Sequence, residues 1–203
     1  MSVEVEIKLK IEDKTQILTS LKQLGFEKKK LVMETDTYYT AEHHDFARLD
    51  EALRVRSIEN LDTGEKTAAI TYKGAKMDTV SMTRKELETE VKDATVCREI
   101  LENIGFQPVP KVEKQRQYMQ NGNITACVDT VTGLGEYLEL EILAEKEEER
   151  EAALKELEEI LQKLGYSIKD TIRKSYLSML LAKSSADKNL KAGGMSGEWK
   201  KKN

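Results

Sequence analysis

Apolar and charged residues alternate in "VEVEIKLKI", residues 3 to 11. On an extended strand Val3, Val5, Ile7 and Leu9 then share one face, and Glu4, Glu6 and Lys8 the other. The same period of two predicts strands at 31–40, 51–59, 67–74, 79–91, 111–120, 123–131 and 136–144. Helical spacing appears instead in "ILTSLKQLGF" (17–26), "REILENIGF" (98–106) and residues 146–164, where Leu154, Leu157, Leu161 and Leu164 oppose a charged face. Each helix leads into Gly and then an aromatic residue, and Gly25, Gly105 and Gly165 suit the left-handed turn that follows a helix C-terminus. After each comes a basic segment and a tyrosine, Tyr38, Tyr118 or Tyr176, a weak internal repeat whose third copy turns helical in "IRKSYLSMLLAK".

"LDTGEK" and "QNGN" predict hairpins, and "GAKM" and "TGLG" looser turns. An antiparallel sheet of about eight strands with helices outside it is the architecture this order implies. Periodicity is lost in "SSADKNLKAGGMSGEWKKKN", so residues 184–203, with the sole tryptophan Trp199, read as a flexible extension of a domain spanning 1–183.

Composition adds one puzzle. Hydrophobic residues make up 39% of the 203, enough for a core, but 34% are charged, and that excess needs a use. Net charge of -4 excludes the global basic field of a non-specific nucleic-acid binder, so a bound anion must be held by a local cluster. No long apolar run points to a membrane, and Cys97 and Cys127 lack metal or redox spacing. The expectation is a cytoplasmic protein with two buried or half-buried thiols, without nucleic-acid or membrane partners.

The strand charges suggest the use. Glu4 with Glu6, Glu139 with Glu141 and Arg54 with Arg56 are like-charged pairs two residues apart on one face. Lys73, Arg84, Glu86, Glu88, Lys114, Arg116 and Asp129 occupy comparable positions on other strands. Any single strand could turn its charges to water. Together they fit a closed barrel with a charged lumen and its aliphatic faces outward on the helices. Paired carboxylates suit a hard divalent cation, Mg²⁺ or Mn²⁺, while Arg and Lys suit phosphate. Both in one cavity imply a metal-bound polyphosphate.

These residues resemble a known family. "EVEIK" at 4–8 is similar to the ExExK signature of the CYTH superfamily, the triphosphate tunnel metalloenzymes. "ALRVR", "TYKG", "RKELE", "VEKQRQY", "VDTVTGLGEYLELE" and "KSYLSML" follow in the order of its class IV adenylyl cyclase branch, so the resemblance spans residues 3–181. It implies an α+β fold: an eight-stranded antiparallel closed β-barrel, or tunnel, with helices packed outside, and a homodimer. Carried over by motif, Glu4, Glu6, Glu139 and Glu141 are metal-side acids, with Asp129 a further candidate ligand. Lys8, Arg54, Arg56, Lys73, Arg84, Lys114 and Arg116 are phosphate-side bases. Glu4, Glu6, Lys8, Glu139 and Glu141 are thereby the expected catalytic set, Glu86 lines the lumen, and Lys174 either reaches the tunnel mouth or is a surface lysine. Strand parity turns Lys111 away.

The implied ligand is ATP, tripolyphosphate or thiamine triphosphate. The same lining serves cyclisation of ATP to cyclic AMP and pyrophosphate, hydrolysis of a terminal phosphate, or binding without turnover. His43 and His44 sit in a polar loop and adjacent residues chelate metal poorly, so both are expected to be exposed. Tyr39 and Phe46 are expected to pack locally, and no adenine pocket can be read.

Overall fold

The structure is a computed structural model that describes residues 3–77 and 82–194. Its elements follow in the order β1 (Val3–Lys10), α1 (Lys14–Gln23), β2 (Glu27–Thr40), β3 (Ala52–Asn60), β4 (Lys66–Lys76), β5 (Arg84–Glu90) and α2 (Ala94–Asn103). The chain continues with β6 (Gln107–Pro108), β7 (Val112–Asn121), β8 (Ile124–Val131), β9 (Gly135–Ala144), α3 (Arg150–Lys163) and α4 (Tyr176–Gly194). Eight strands pair antiparallel in the order β3-β4-β5-β1-β9-β8-β7-β2, and β2 pairs with β3 to close the barrel. The two-residue β6 adds to the end of β2. Closure leaves the long strands without a free edge, which allows the interior to be polar.

The aliphatic faces turn outward as the alternation requires. Val5, Ile7 and Leu9 of β1 pack with Leu138 and Leu140 of β9 and Ala126 and Val128 of β8, under Ile17 and Leu21 of α1 and Leu157 and Leu161 of α3. Full burial of each Leu or Ile stabilises by about 1.5–3 kcal/mol, and Leu157→Ala here would cost about 2–5 kcal/mol. Asp13 caps α1 by accepting from the Gln16 amide at 2.9 Å, and Asp93 caps α2 through the Thr95 and Val96 amides. Past the C-termini Gly25, Gly105 and Gly165 have φ of 89°, 100° and 86°, as the sequence predicts. A smaller cluster of Tyr39, Val55 and Leu101 lies under α2.

Four expectations shift. β2 begins earlier, at Glu27, because its exposed "EKKK" start hides the alternation, and a register shift falls between Lys28 and Lys30. "GAKM" is not a simple turn: β4 continues to Lys76 through an irregularity between Lys73 and Lys76. The strand expected at 79–91 runs from Arg84 to Glu90, and residues 78–81 lie outside the described residues. α4 continues to Gly194, inside the segment read as an extension, while residues 195–203 with Trp199 lie outside the described residues. Among the described residues no helix is long and apolar enough to cross a membrane. Cys97 is half-buried and Cys127 buried, and neither is in a disulfide.

Candidate active site

The barrel encloses a cavity of about 610 Å³, within the usual range for small-molecule sites. Glu4, Glu6 and Lys8 of β1, Arg54 and Arg56 of β3, Lys73 of β4, Arg84 and Glu86 of β5, Lys114 and Arg116 of β7 and Glu139 and Glu141 of β9 all line it. Its mouth is framed by the loop before β3, by Met82, and by residues 173–178 and Leu181 at the start of α4. Tyr176 reaches inward from α4 and donates to Asp129 Oδ2 at 2.9 Å, while Lys8 Nζ stands 4.4 Å from its ring centre.

Strand register decides which acids are neutralised. Asp36 lies opposite Arg56, Glu34 opposite Lys114, Asp129 opposite Arg116 and Glu139 opposite Lys8. Each pairing becomes a contact. Arg56 grips Asp36 with Nε–Oδ1 of 2.6 Å and Nη2–Oδ2 of 2.8 Å, and Nη1 reaches Glu34 Oε2 at 2.9 Å. Lys114 Nζ reaches the same Glu34 oxygen at 3.0 Å. Arg116 forks onto Asp129 at 2.7 and 2.6 Å and also donates to Glu139, which Lys8 approaches at 3.2 Å. Burial alone would raise these carboxyls, but Arg56 and Lys114 hold Glu34 well below the ordinary range, and Arg56, with Lys114 and Arg54, holds Asp36 below it. Arg116 and Lys8 do the same for Glu139.

A second group of acids has the opposite surroundings. Glu6 lies directly opposite Glu141, a like-charged cross-strand pair. One carboxylate oxygen each from Glu4, Glu6 and Glu141 fall within 4.8 Å of one another. Glu4 accepts a hydrogen bond from Lys73 at 3.3 Å, but the ion pairs of Lys8 with Glu6 at 3.9 Å and of Arg116 with Glu141 at 3.7 Å are long. Burial, then repulsion from Glu139, pushes Glu6 up to about 7. Burial raises Glu4, and burial with the negative charge of Glu4 and Glu6 raises Glu141 well above its ordinary value. Three hard oxygen donors crowded together, with their repulsion only partly relieved, fit a divalent cation such as Mg²⁺ or Mn²⁺.

Of the acids expected on the metal side, Glu4, Glu6, Glu139 and Glu141 line the cavity, and Glu4, Glu6 and Glu141 cluster there. Glu139 and Asp129 stand apart from the three-carboxylate cluster, Glu139 held by Arg116 and Lys8, and Asp129, fully buried, by Arg116 and Tyr176. Lys73 bridges Glu86 at 2.6 Å and Glu4 at 3.3 Å, and Arg54 reaches Glu86 and Asp36 at 3.5 Å each. Lys174 lines the mouth, and Lys111 is exposed outside it. His43 is exposed, but His44 is half-buried and bonds Glu51 at 2.6 Å. Phe46 packs on His44 and also lines the cavity. Sequence reasoning missed Glu34 and Asp36 of β2, although they form the same spaced acid pair as Glu4 and Glu6. It also missed Asp50 and Lys76 at the mouth.

Comparison with known proteins agrees with this geometry. The CYTH domain model matches residues 2–176. The chain belongs to the CYTH family. A relative from Methanocaldococcus jannaschii, provisionally named an adenylate cyclase, is 40% identical over 177 residues, covering 87% of this chain and 98% of its own. The solved structure of the PH1819 protein from Pyrococcus horikoshii has a TM-score of 0.81 at 36% identity, with 89% of this chain and 99% of that one covered. A protein from Hippeastrum, named as an adenylyl cyclase and described with a dominant triphosphatase activity, shares the fold with a TM-score of 0.61 at 15% identity, over 91% of this CYTH chain and 96% of its own.

Proposed function

We propose that this protein is a metal-dependent enzyme acting on a triphosphate inside the tunnel, with conversion of ATP to cyclic AMP and pyrophosphate as its reaction. The observation that carries the reading is the juxtaposition of a poorly neutralised cluster, Glu4, Glu6 and Glu141, with Lys and Arg side chains from several strands lining the same cavity. A pure anion binder gains nothing from that cluster. Glu4, Glu6 and Glu141 would hold the cation. When bound, it supplies Lewis-acid polarisation of phosphate oxygens.

The remaining steps fall to the chain's own side chains. Arg54, Arg56, Lys73, Arg84, Lys114 and Arg116 take the phosphates, with guanidinium forks matching phosphate oxygens. They hold the α-phosphorus near the ribose 3′-hydroxyl and stabilise the charge that grows on departing pyrophosphate as the 3′-oxygen bonds to the α-phosphorus, its bond to the bridging oxygen breaks and the hydroxyl proton passes to solvent. The cyclase reading is supported by the name of the relative that shares 40% identity over nearly its full length. Hydrolysis of tripolyphosphate or thiamine triphosphate is the second reading, supported by the triphosphatase activity described for the Hippeastrum protein of the same fold.

Purified protein incubated with ATP, tripolyphosphate or thiamine triphosphate, each with Mg²⁺ or Mn²⁺, separates these readings by product chromatography. Cyclic AMP with pyrophosphate is the expected outcome. Orthophosphate release would replace it with the hydrolase reading, and binding without product would remove catalysis altogether.

A further inference from the structure

Among the described residues, Asp50 is the only one other than glycine with a left-handed backbone, at φ 55°. Asp and Asn tolerate that conformation best, and such outliers gather where a side chain must be aimed. Asp50 lies in the loop before β3, and its carboxylate reaches across the tunnel mouth to the β4 and β5 ends. Oδ2 accepts from the Lys76 amide at 3.0 Å, and Oδ1 binds the Lys76 ammonium. Arg84 Nη2 lies 3.9 Å from Oδ1, and Nη1 donates to the Asp50 carbonyl oxygen at 3.3 Å. Lys76 and Arg84 are themselves register partners, so one loop residue grips both sides of the β4–β5 ladder. All three line the cavity.

We infer that Asp50 is a positioning residue that fixes Lys76 and Arg84 at the tunnel mouth to receive the outer anionic end of a polyphosphate, making Lys76 a further ligand-binding residue. The inference rests on the triphosphate reading above and adds two residues to it. Lys and Arg side chains lose much rotamer freedom when a ligand orders them, and ordering them beforehand removes that cost. The grip leaves donors to spare, since an ammonium has three and a guanidinium five. Asp50 is 48% exposed at its side chain, against 16% for Lys76 and 8% for Arg84. Water therefore screens its repulsion of the ligand more than its hold on the two cations.

Calorimetric titration of inorganic tripolyphosphate in Mg²⁺ tests this in Asp50→Asn and Asp50→Gly, two variants that both accept the left-handed backbone. Affinity should fall about 5- to 10-fold in each. In a Lys76→Met, Arg84→Met background the same substitutions should change it less than about 2-fold, because the residues through which Asp50 acts are gone. Unchanged or tighter binding in the single variants overturns the inference, as does an equal loss in the double background. If the unmodified protein does not bind tripolyphosphate, the triphosphate reading falls and this inference with it; if it binds and Asp50 is neutral, only the inference falls.

Discussion

Two residues apart on β9 and both facing the lumen, Glu139 lies opposite Lys8 and takes a bond from Arg116, whereas Glu141 lies opposite Glu6. The residue type is the same and both line the cavity, Glu139 buried and Glu141 half-buried, yet Glu139 is held below its ordinary pKa and Glu141 is pushed well above it. The difference comes from the residues each one meets: Arg116 of β7 and Lys8 of β1 for Glu139, Glu4 and Glu6 of β1 for Glu141. With Glu34, Asp36 and Asp129, Glu139 belongs to a scaffold of internal ion pairs that fixes where Lys8, Arg56, Lys114 and Arg116 stand. With Glu4 and Glu6, Glu141 belongs to a cluster that the fold leaves poorly neutralised. The scaffold acids serve packing and placement, and the cluster acids are the ones proposed to take a cation.

Removing one acid from each region should give opposite results. Glu34→Gln leaves Arg56 and Lys114 without the oxygen they share, and it weakens the acceptor for the Tyr118 hydroxyl at 2.8 Å. Breaking a buried pair on one side costs about 3–5 kcal/mol, and the urea midpoint should fall accordingly. Glu141→Gln relieves repulsion instead, and its midpoint without metal should be equal or higher. A large loss in Glu141→Gln would erase the distinction between the regions.

Activity sharpens the comparison next. Glu6→Gln and Glu141→Gln should each lower metal-dependent kcat/KM by about 100-fold or more, about 2.7 kcal/mol of transition-state stabilisation, and should weaken Mn²⁺ binding in calorimetry. Turnover near the original level in both variants would remove the cluster from the chemistry.

How much of this was legible follows from what alternation encodes. Period two marks which face of a strand is charged, so Glu4, Glu6, Lys8, Arg54, Arg56, Lys114, Arg116, Glu139 and Glu141 could all be placed on the lumen side from the sequence. It carries nothing about register. That Glu6 faces Glu141 while Glu139 faces Lys8 depends on how β1 and β9 align, and with it the separation of cluster from scaffold. Asp129 shows the consequence: by sequence it is one more acid near a metal, but the β7–β8 register delivers it to Arg116. Glu34 and Asp36 were readable by the same i, i+2 rule and were obscured by the polar start of β2. Asp50 was not readable at all, because its role depends on a loop conformation and on contacts to two distant strands.

The pH dependence of stability is the smallest and most direct test. Glu6 has an ordinary value of 4.5 and stands near 7 when folded, so between those values the folded chain holds a proton that the unfolded chain has lost. Stability without metal should therefore fall as pH rises from about 4.5 to about 7, by on the order of 2 kcal/mol, with Glu4 and Glu141 acting in the same direction. The scaffold has the other sign. Glu34, Asp36 and Glu139 are depressed, so their contribution is fully present above the ordinary carboxylate values and is lost as pH falls through the folded ones. Urea midpoints in EDTA should thus peak near the lower edge of the Glu6 window, and Glu6→Gln should flatten the descending limb while leaving the acid limb in place. Saturating Mg²⁺ should lift the neutral side, since a cation stabilises the ionised cluster and has no comparable site among acids already paired with Arg and Lys. A metal-free profile that rises steadily from pH 4.5 to 7 would mean that the cluster acids are neutralised like the scaffold, and the division between Glu139 and Glu141 would fail.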